Sequence, residues 1–143
     1  MGARVVVLDK SLTRLRELDA QFGARLKTVY STEFNIKKHT ANADLVVGAV
    51  LIPGRSAPRL LSEDMVKAMQ PGSVVLDVAI DQGGCFATSQ PTTHDDPIFI
   101  QHGVIHYCVT NMPGAVPRTA TFALNNATLP YISKIAAQGY RQG

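Results

Sequence analysis

Two aspartates in this 143-residue sequence stand where a carboxylate can do chemistry. Asp9 directly follows the apolar run Val5-Val6-Val7-Leu8, and Asp81 follows a second run, Ser73 to Ala79, just before the pair Gly83-Gly84. An acid at the end of a buried parallel strand is where a dinucleotide-binding fold accepts hydrogen bonds from ribose hydroxyls. Its charge also repels a 2′-phosphate, which favours NAD over NADP. The same Asp9 serves equally well as a solvated strand end or a helix cap. An acid on a glycine-flanked loop between buried strand ends exchanges protons near neutrality if desolvation raises its pKa. From spacing alone, however, the preferred reading of Asp81 is an acid that holds the turn through backbone amides.

Other polar groups point to less. His94, Asp95 and Asp96 are adjacent on a Thr/Pro-rich loop, a solvated turn rather than a metal site. Cys85 and Cys108 form neither a CxxC pair nor a Cys/His cluster, so neither a disulfide framework nor zinc is signalled, and a reducing cytoplasm fits best. Cys85 has no basic neighbour in sequence and reads as an inert thiol. His102 reads as a surface residue, His106 as a strand residue, and Arg118 as a surface group or a partner for an acid elsewhere.

The elements that position these groups follow from patterning. Arg4 to Leu8 reads as a strand buried on both faces. Ser11 caps a helix whose Leu12, Leu15, Leu18 and Phe22 share a face and which stops at Gly23. A strand at 26–30, a helix near 34–42 and a strand at 44–49 follow, and then the Pro/Gly-rich loop at 51–58. Ser62-Glu63-Asp64 opens another helix, ended by Pro71-Gly72. Strands at 73–79 and 104–109 and a helix through 119–137, kinked or broken at Pro130, complete the chain. Strands alternating with helices over short links predict an α/β fold built on a doubly wound parallel sheet. Ligands of such sheets bind beyond the carboxyl ends of the strands, where Asp9, Val50 to Gly54, Asp81 to Gly84 and Asn111 to Gly114 all fall.

Composition sets outer limits. Hydrophobic residues make up 45% and charged residues 17%, which is globular rather than disordered, with no apolar run long enough to span a bilayer. The net charge of +3 comes with no basic cluster denser than Lys37-Lys38-His39, so a nucleic-acid partner is not expected. The start MGARVVVLDK has no signal-peptide pattern.

Three long irregular segments, GAVLIPGRSAPRLLSEDMVKAMQPGSVVLDVAIDQGG, QPTTHDDP and GVIHYCVTNMPGAVPRTATFALNNATLPY, resemble the nucleotide-binding half of the alanine dehydrogenase and pyridine nucleotide transhydrogenase family. The resemblance runs over essentially the whole chain. It implies a Rossmann-like NAD-binding domain over residues 1–115 and a helical return toward a substrate domain over 116–143. The glycine fingerprint belongs about 20 residues before the acid. Only eight residues precede Asp9, so the expected piece lacks the first strand and the glycine-rich loop.

The resemblance places Asp9, Arg14 and Ser31 on the adenosine side and Val50 and Leu51 along the cleft. It puts Val78, Ala79, Ile80 and Asp81 on the nicotinamide side, with Val109, Thr110, Asn111 and Met112 closing the cleft from the next strand. Asp81 becomes the expected catalytic carboxylate, which reverses the preference drawn from spacing; Thr110 stands where a small alanine is expected. The activity implied is reversible NAD-dependent oxidative deamination of L-alanine to pyruvate and ammonia, in a cytoplasmic hexamer, with no metal. A histidine and the groups that grip the substrate carboxylate are expected outside this sequence. Two alternatives remain: the nucleotide domain of a proton-translocating transhydrogenase, in which an amide pair is expected in place of Asp81-Gln82, and a non-catalytic nucleotide-binding module.

Overall fold

The computed structural model describes residues 2–50, 52, 54 and 56–140. Contacts divide the chain into two compact units, residues 1–110 and 111–143.

The first unit opens with β1 (Val5–Asp9), α1 (Leu12–Phe22) and β2 (Leu26–Tyr30) in the predicted order, but β1 is not buried on both faces: Val5 is exposed and the rest of the strand only half-buried, since one side of its sheet is uncovered. Ser11 caps α1 by accepting a hydrogen bond from the Arg14 amide, and Gly23 ends it. Of the expected apolar face only Leu15 is buried, while Leu12 is 54% exposed. The strands β1 and β2 pair in parallel, Asp9 opposite Tyr30, and form a two-stranded sheet of their own. After α2 (Glu33–Thr40) a second sheet is built from β3 (Leu45–Gly48), β4 (Val74–Asp77), β5 (Ile98–Gln101) and β6 (Val104–Tyr107), in the order β3-β4-β6-β5. The fold is α/β with mainly parallel sheets, in two pieces: among the described residues β1 pairs only with β2, and β3 only with β4.

Two element expectations need correction. The run at 73–79 stops being a strand at Asp77, because residues Val78–Gln82 wind into a 3₁₀ turn capped by the Asp77 side chain. The strand β5 was not expected at all. It pairs antiparallel with β6 across the two-residue turn His102-Gly103, both at positive φ, and four residues after a proline-rich loop are too few to show an alternation. His102 in that turn meets Glu63 Oε1 at 2.9 Å, tying the hairpin to the first turn of α3 (Glu63–Lys67), which Ser62 caps as expected. Lys67 and His102 together hold the Glu63 carboxyl below its usual range.

The core gathers between α3, β4, β6 and the segment that follows the 3₁₀ turn. Val66, Val75, Cys85, Phe86 and Val104 are fully buried there. Burying a Phe or Val side chain contributes about 1.5–3 kcal/mol, so this cluster anchors everything attached to it. Gly48 is part of the packing: a Cβ there would overlap the Cys85 sulfur and the Phe86 ring.

Buried His106 stacks on Phe99, points Nδ1 at the Val104 carbonyl 3.0 Å away and meets Thr88 Oγ1 at 2.8 Å through Nε2. Burial pushes its pKa down, more than the Val104 bond raises it, with a smaller lowering from His102. The folded state therefore holds His106 neutral where the unfolded chain begins to protonate. The stability is complete above the unfolded value, about 6.5, and is lost progressively as pH falls below it. The urea midpoint, followed by circular dichroism at low protein concentration, should drop between pH 7.5 and pH 5, and His106→Gln should flatten that dependence.

The second unit consists of a 3₁₀ turn, Met112–Ala115, and α4 (Pro117–Gln138). Pro130 lies inside α4 without breaking it. No described residue of this helix is buried, although Phe122, Leu124, Leu129, Tyr131, Ile132 and Ile135 are apolar. Among the described residues no helix is long and apolar enough to cross a membrane.

Candidate functional site

Register decides which loops meet. Gly48 pairs with Asp77 and Leu76 with Tyr107, all in parallel, so the segments after β3, β4 and β6 leave one edge of the sheet. Those segments carry Val50, the Val78–Asp81 turn, and Val109 with Thr110. Val109 is fully buried and bridges to Thr92, and the Thr110 amide donates to the Thr92 carbonyl. Leu51 lies outside the described residues. Asn111, in a left-handed conformation at φ 54°, and Met112 belong to the second unit.

On the smaller sheet, Asp9 and Ser31 are brought together: the Ser31 amide donates to the Asp9 carbonyl at 3.0 Å. Asp9 Oδ1 accepts from the Ser11 amide at 2.7 Å, so the acid does act as a local cap. No described residue donates to Oδ2, which leaves one carboxylate oxygen available. Beside this point lies a groove of about 550 Å³, lined by Lys10, Ser31, Glu33, Ile36 and Arg59 among others. Arg14 is on the solvent face of α1, paired with Glu17 at 2.9 Å.

The loop after β4 is the most tightly built part of this edge. Asp77, fully buried, accepts from the Ala79 amide at 3.0 Å through Oδ1 and from the Cys85 amide at 2.8 Å through Oδ2. The Cys85 thiol and the Ser89 hydroxyl donate to the same carboxylate. Gly83 and Gly84, at φ 90° and 78°, turn the chain back so that their amides reach the Ile80 and Ala79 carbonyls. A Cβ at Gly84 would come within 2.8 Å of Asp77 Oδ2, so the turn accepts no side chain there. Ala79 and Ile80 are buried, whereas Asp81 is exposed and its carboxylate has no hydrogen-bond or ion-pair partner among the described residues.

Two expectations change here. The desolvation expected around Asp81 is not supplied by these residues, because the loop carries it outward. The turn-holding carboxylate does exist, but it is Asp77. Sequence reasoning missed Asp77, although an acid within the run Val74-Val75-Leu76-Asp77-Val78 must find donors if it is buried, and that signal was available. Cys85 is inert as expected: burial, then the negative Asp77, push its thiol up to about 12. Burial raises Cys108 as well. Among the described residues no cluster of His, Cys, Asp or Glu could hold a metal.

Polar groups collected past the carboxyl ends of parallel strands define the doubly wound α/β class of ligand-binding domains. Residues 1–143 match the family described as alanine dehydrogenase/PNT, C-terminal domain, and the chain belongs to that family. It is 59% identical to an alanine dehydrogenase of Lysinibacillus sphaericus, over 99% of this chain and 38% of that protein. Against alanine dehydrogenase 2 of Staphylococcus aureus (strain USA300) the identity is 58%, with the same coverage. A solved L-alanine dehydrogenase structure superposes with a TM-score of 0.92 at 51% identity, over 99% of this chain and 39% of that one. A transhydrogenase from Sinorhizobium meliloti gives 0.81 at 28% identity, over 94% of this chain and 38% of that one. The chain thus spans less than two fifths of the length of these relatives.

Proposed function

We propose that the chain is the coenzyme-binding part of an L-alanine dehydrogenase, converting L-alanine, water and NAD reversibly to pyruvate, ammonia and NADH. The observation that carries this reading is Asp81: an unpaired carboxylate on a loop whose backbone is held by other groups. Such a carboxylate is free to hold or release a proton at Oδ as water adds to an imine carbon and ammonia departs. In the transhydrogenase reading no imine forms and an acid at 81 has no task.

The residues fit NAD. Asp9 offers Oδ2 as an acceptor for a ribose hydroxyl, with Ser31 and the groove beside it. Arg14 reaches the adenosine side only by exchanging its bond to Glu17. Val50, Val78, Ala79, Ile80, Asp81, Val109 and Thr110 would line the remainder. Bound NAD supplies the acceptor for the hydride that leaves the substrate's α-carbon.

The free edges of β1 and β3 are each suited to a further parallel strand, and the glycine-rich loop would come with it from outside residues 1–143. In this reading residues 1–115 form the NAD-binding part and 116–143 return toward the substrate domain. The assembly would be a homo-oligomer, a hexamer in the family, in the cytoplasm.

Alanine-dependent NADH formation by the full-length polypeptide is the test. Hydride exchange between two dinucleotides without need of alanine would overturn the proposal. In the same protein Asp9→Ala should weaken NAD by about 1.5–3 kcal/mol, the loss of one charge-assisted hydrogen bond, and reduce discrimination against NADP. Unchanged NAD affinity in a titration would leave Asp9 with no role beyond its bond to the Ser11 amide ahead of α1.

A further inference from the structure

We propose that Asp77 is the positioning residue for Asp81, acting through the backbone of the loop between them; the proposal rests on the reading of Asp81 as the proton-moving group. The carboxylate of Asp77 spans the neck of that loop. Its Oδ1 takes the Ala79 amide, at the start of the 3₁₀ turn, and its Oδ2 takes the Cys85 amide, where the chain returns. The two ends are thereby fixed to one rigid group at the end of β4. Inside the neck the amides of Gly83 and Gly84 close onto Ile80 and Ala79, and the Gln82 carbonyl accepts from the Ala57 amide at 3.0 Å.

The residues on both sides of the neck are anchored by burial as well. Ala79 and Ile80 are buried, and so are Cys85 and Phe86. Every link from Asp77 to the crest of the loop is therefore a hydrogen bond or a packed side chain, and Asp81 is the residue at the crest with its carboxylate left over. The two acids divide the work. One is consumed in four bonds, two of them from the backbone amides at the neck, and the other keeps its oxygens for a ligand.

Ser89 extends the same device. Its hydroxyl donates to Asp77 Oδ2, the oxygen that the Cys85 amide also uses, so it orients the carboxylate, and its side chain packs against Gly84 at the returning end of the loop. Replacing Asp77 by Asn puts an N–H₂ against donors on one side and forfeits at least one neck bond. The crest is then free to drift while the hydrophobic anchors hold the fold together.

The test uses the full-length dehydrogenase containing this segment, with four variants: Asp77→Asn, Ser89→Ala, Asp81→Asn and the double variant Asp77→Asn/Asp81→Asn. Misplacing a reacting group by about an ångström costs roughly 10²-fold, so Asp77→Asn should lower kcat by about that factor. NADH affinity should fall by a clearly smaller factor than kcat, because Ala79 and Ile80 stay anchored by burial while the crest drifts. Ser89→Ala should act in the same direction by roughly 3–10-fold, the loss of one hydrogen bond, and serves if Asp77→Asn does not fold. On the Asp81→Asn background, Asp77→Asn should cost almost nothing more, because its effect passes through Asp81.

Equal, multiplying losses in the double variant would overturn the proposal, as would parallel losses of kcat and NADH affinity in either single variant. A normal kcat in both Asp77→Asn and Ser89→Ala, with Asp81→Asn inactive, would overturn it while leaving the Asp81 reading intact. Near-normal turnover of Asp81→Asn itself would remove the reading on which the proposal stands.

Discussion

Asp81→Asn in the full-length enzyme should lower kcat by roughly 10²–10⁴, the range associated with removing a general acid or base. The coenzyme should still bind, because the loop that carries Asp81 is held by Asp77, Gly83, Gly84 and Ala57 rather than by the Asp81 carboxylate. An amide of the same shape at an exposed crest disturbs no bond described here. Steady-state turnover combined with an NADH titration separates the two effects. Near-normal kcat would mean that another group carries the proton and that Asp81 is a solvent-facing loop residue.

The second large effect concerns the 143-residue chain by itself, which should neither oxidise alanine nor bind NAD tightly, and should associate with itself. Among the described residues its β1 and β3 strands each have one unpaired edge, and unpaired backbone donors and acceptors are templates for pairing with another chain. On β3, Leu45 and Val47 are 55% and 53% exposed at alternate positions, so one face of the strand is uncovered as well. The apolar side chains of α4 add a further surface without cover. Sedimentation, hydrogen exchange and an NAD titration on the purified chain would check this. A stable monomer with micromolar affinity for NAD would show that the two open edges need no further strand.

Local signals were readable wherever one residue type decides a boundary. Ser11, Thr32 and Ser62 cap helices with their own hydroxyls, and the first and last of these are visible in sequence because an apolar-periodic segment follows directly. The apolar runs at Val5, Leu45 and Val74 became strands because β-branched residues favour extended, pleated backbone, even where, as on β1 and β3, one face is left uncovered. What stayed hidden was non-local. The place of β6 between β4 and β5 depends on side chains such as His106 and Phe99 that meet only in the folded sheet. Asp77, an acid at the end of an apolar run, signals a need for donors, but which donors it finds, in Ala79, Cys85 and Ser89, is set only by the folded loop. Asp81 could be named from the resemblance. Its spare oxygens, and the identity of the acid that spares them, needed the three-dimensional loop.

The antiparallel hairpin also bears on the order in which the sheet is assembled. Pairing β5 with β6 closes only His102 and Gly103, whereas pairing β3 with β4 closes residues 49–73. Loop-closure entropy grows with the logarithm of length, and the difference between these two closures is about 2 kcal/mol in favour of the hairpin. Hairpins of this kind close in about 1–10 µs, earlier than a crossover can bring two parallel strands together. The stacked Phe99 and His106 are therefore expected to pair before β6 meets β4, so that the edge of the sheet forms ahead of its middle.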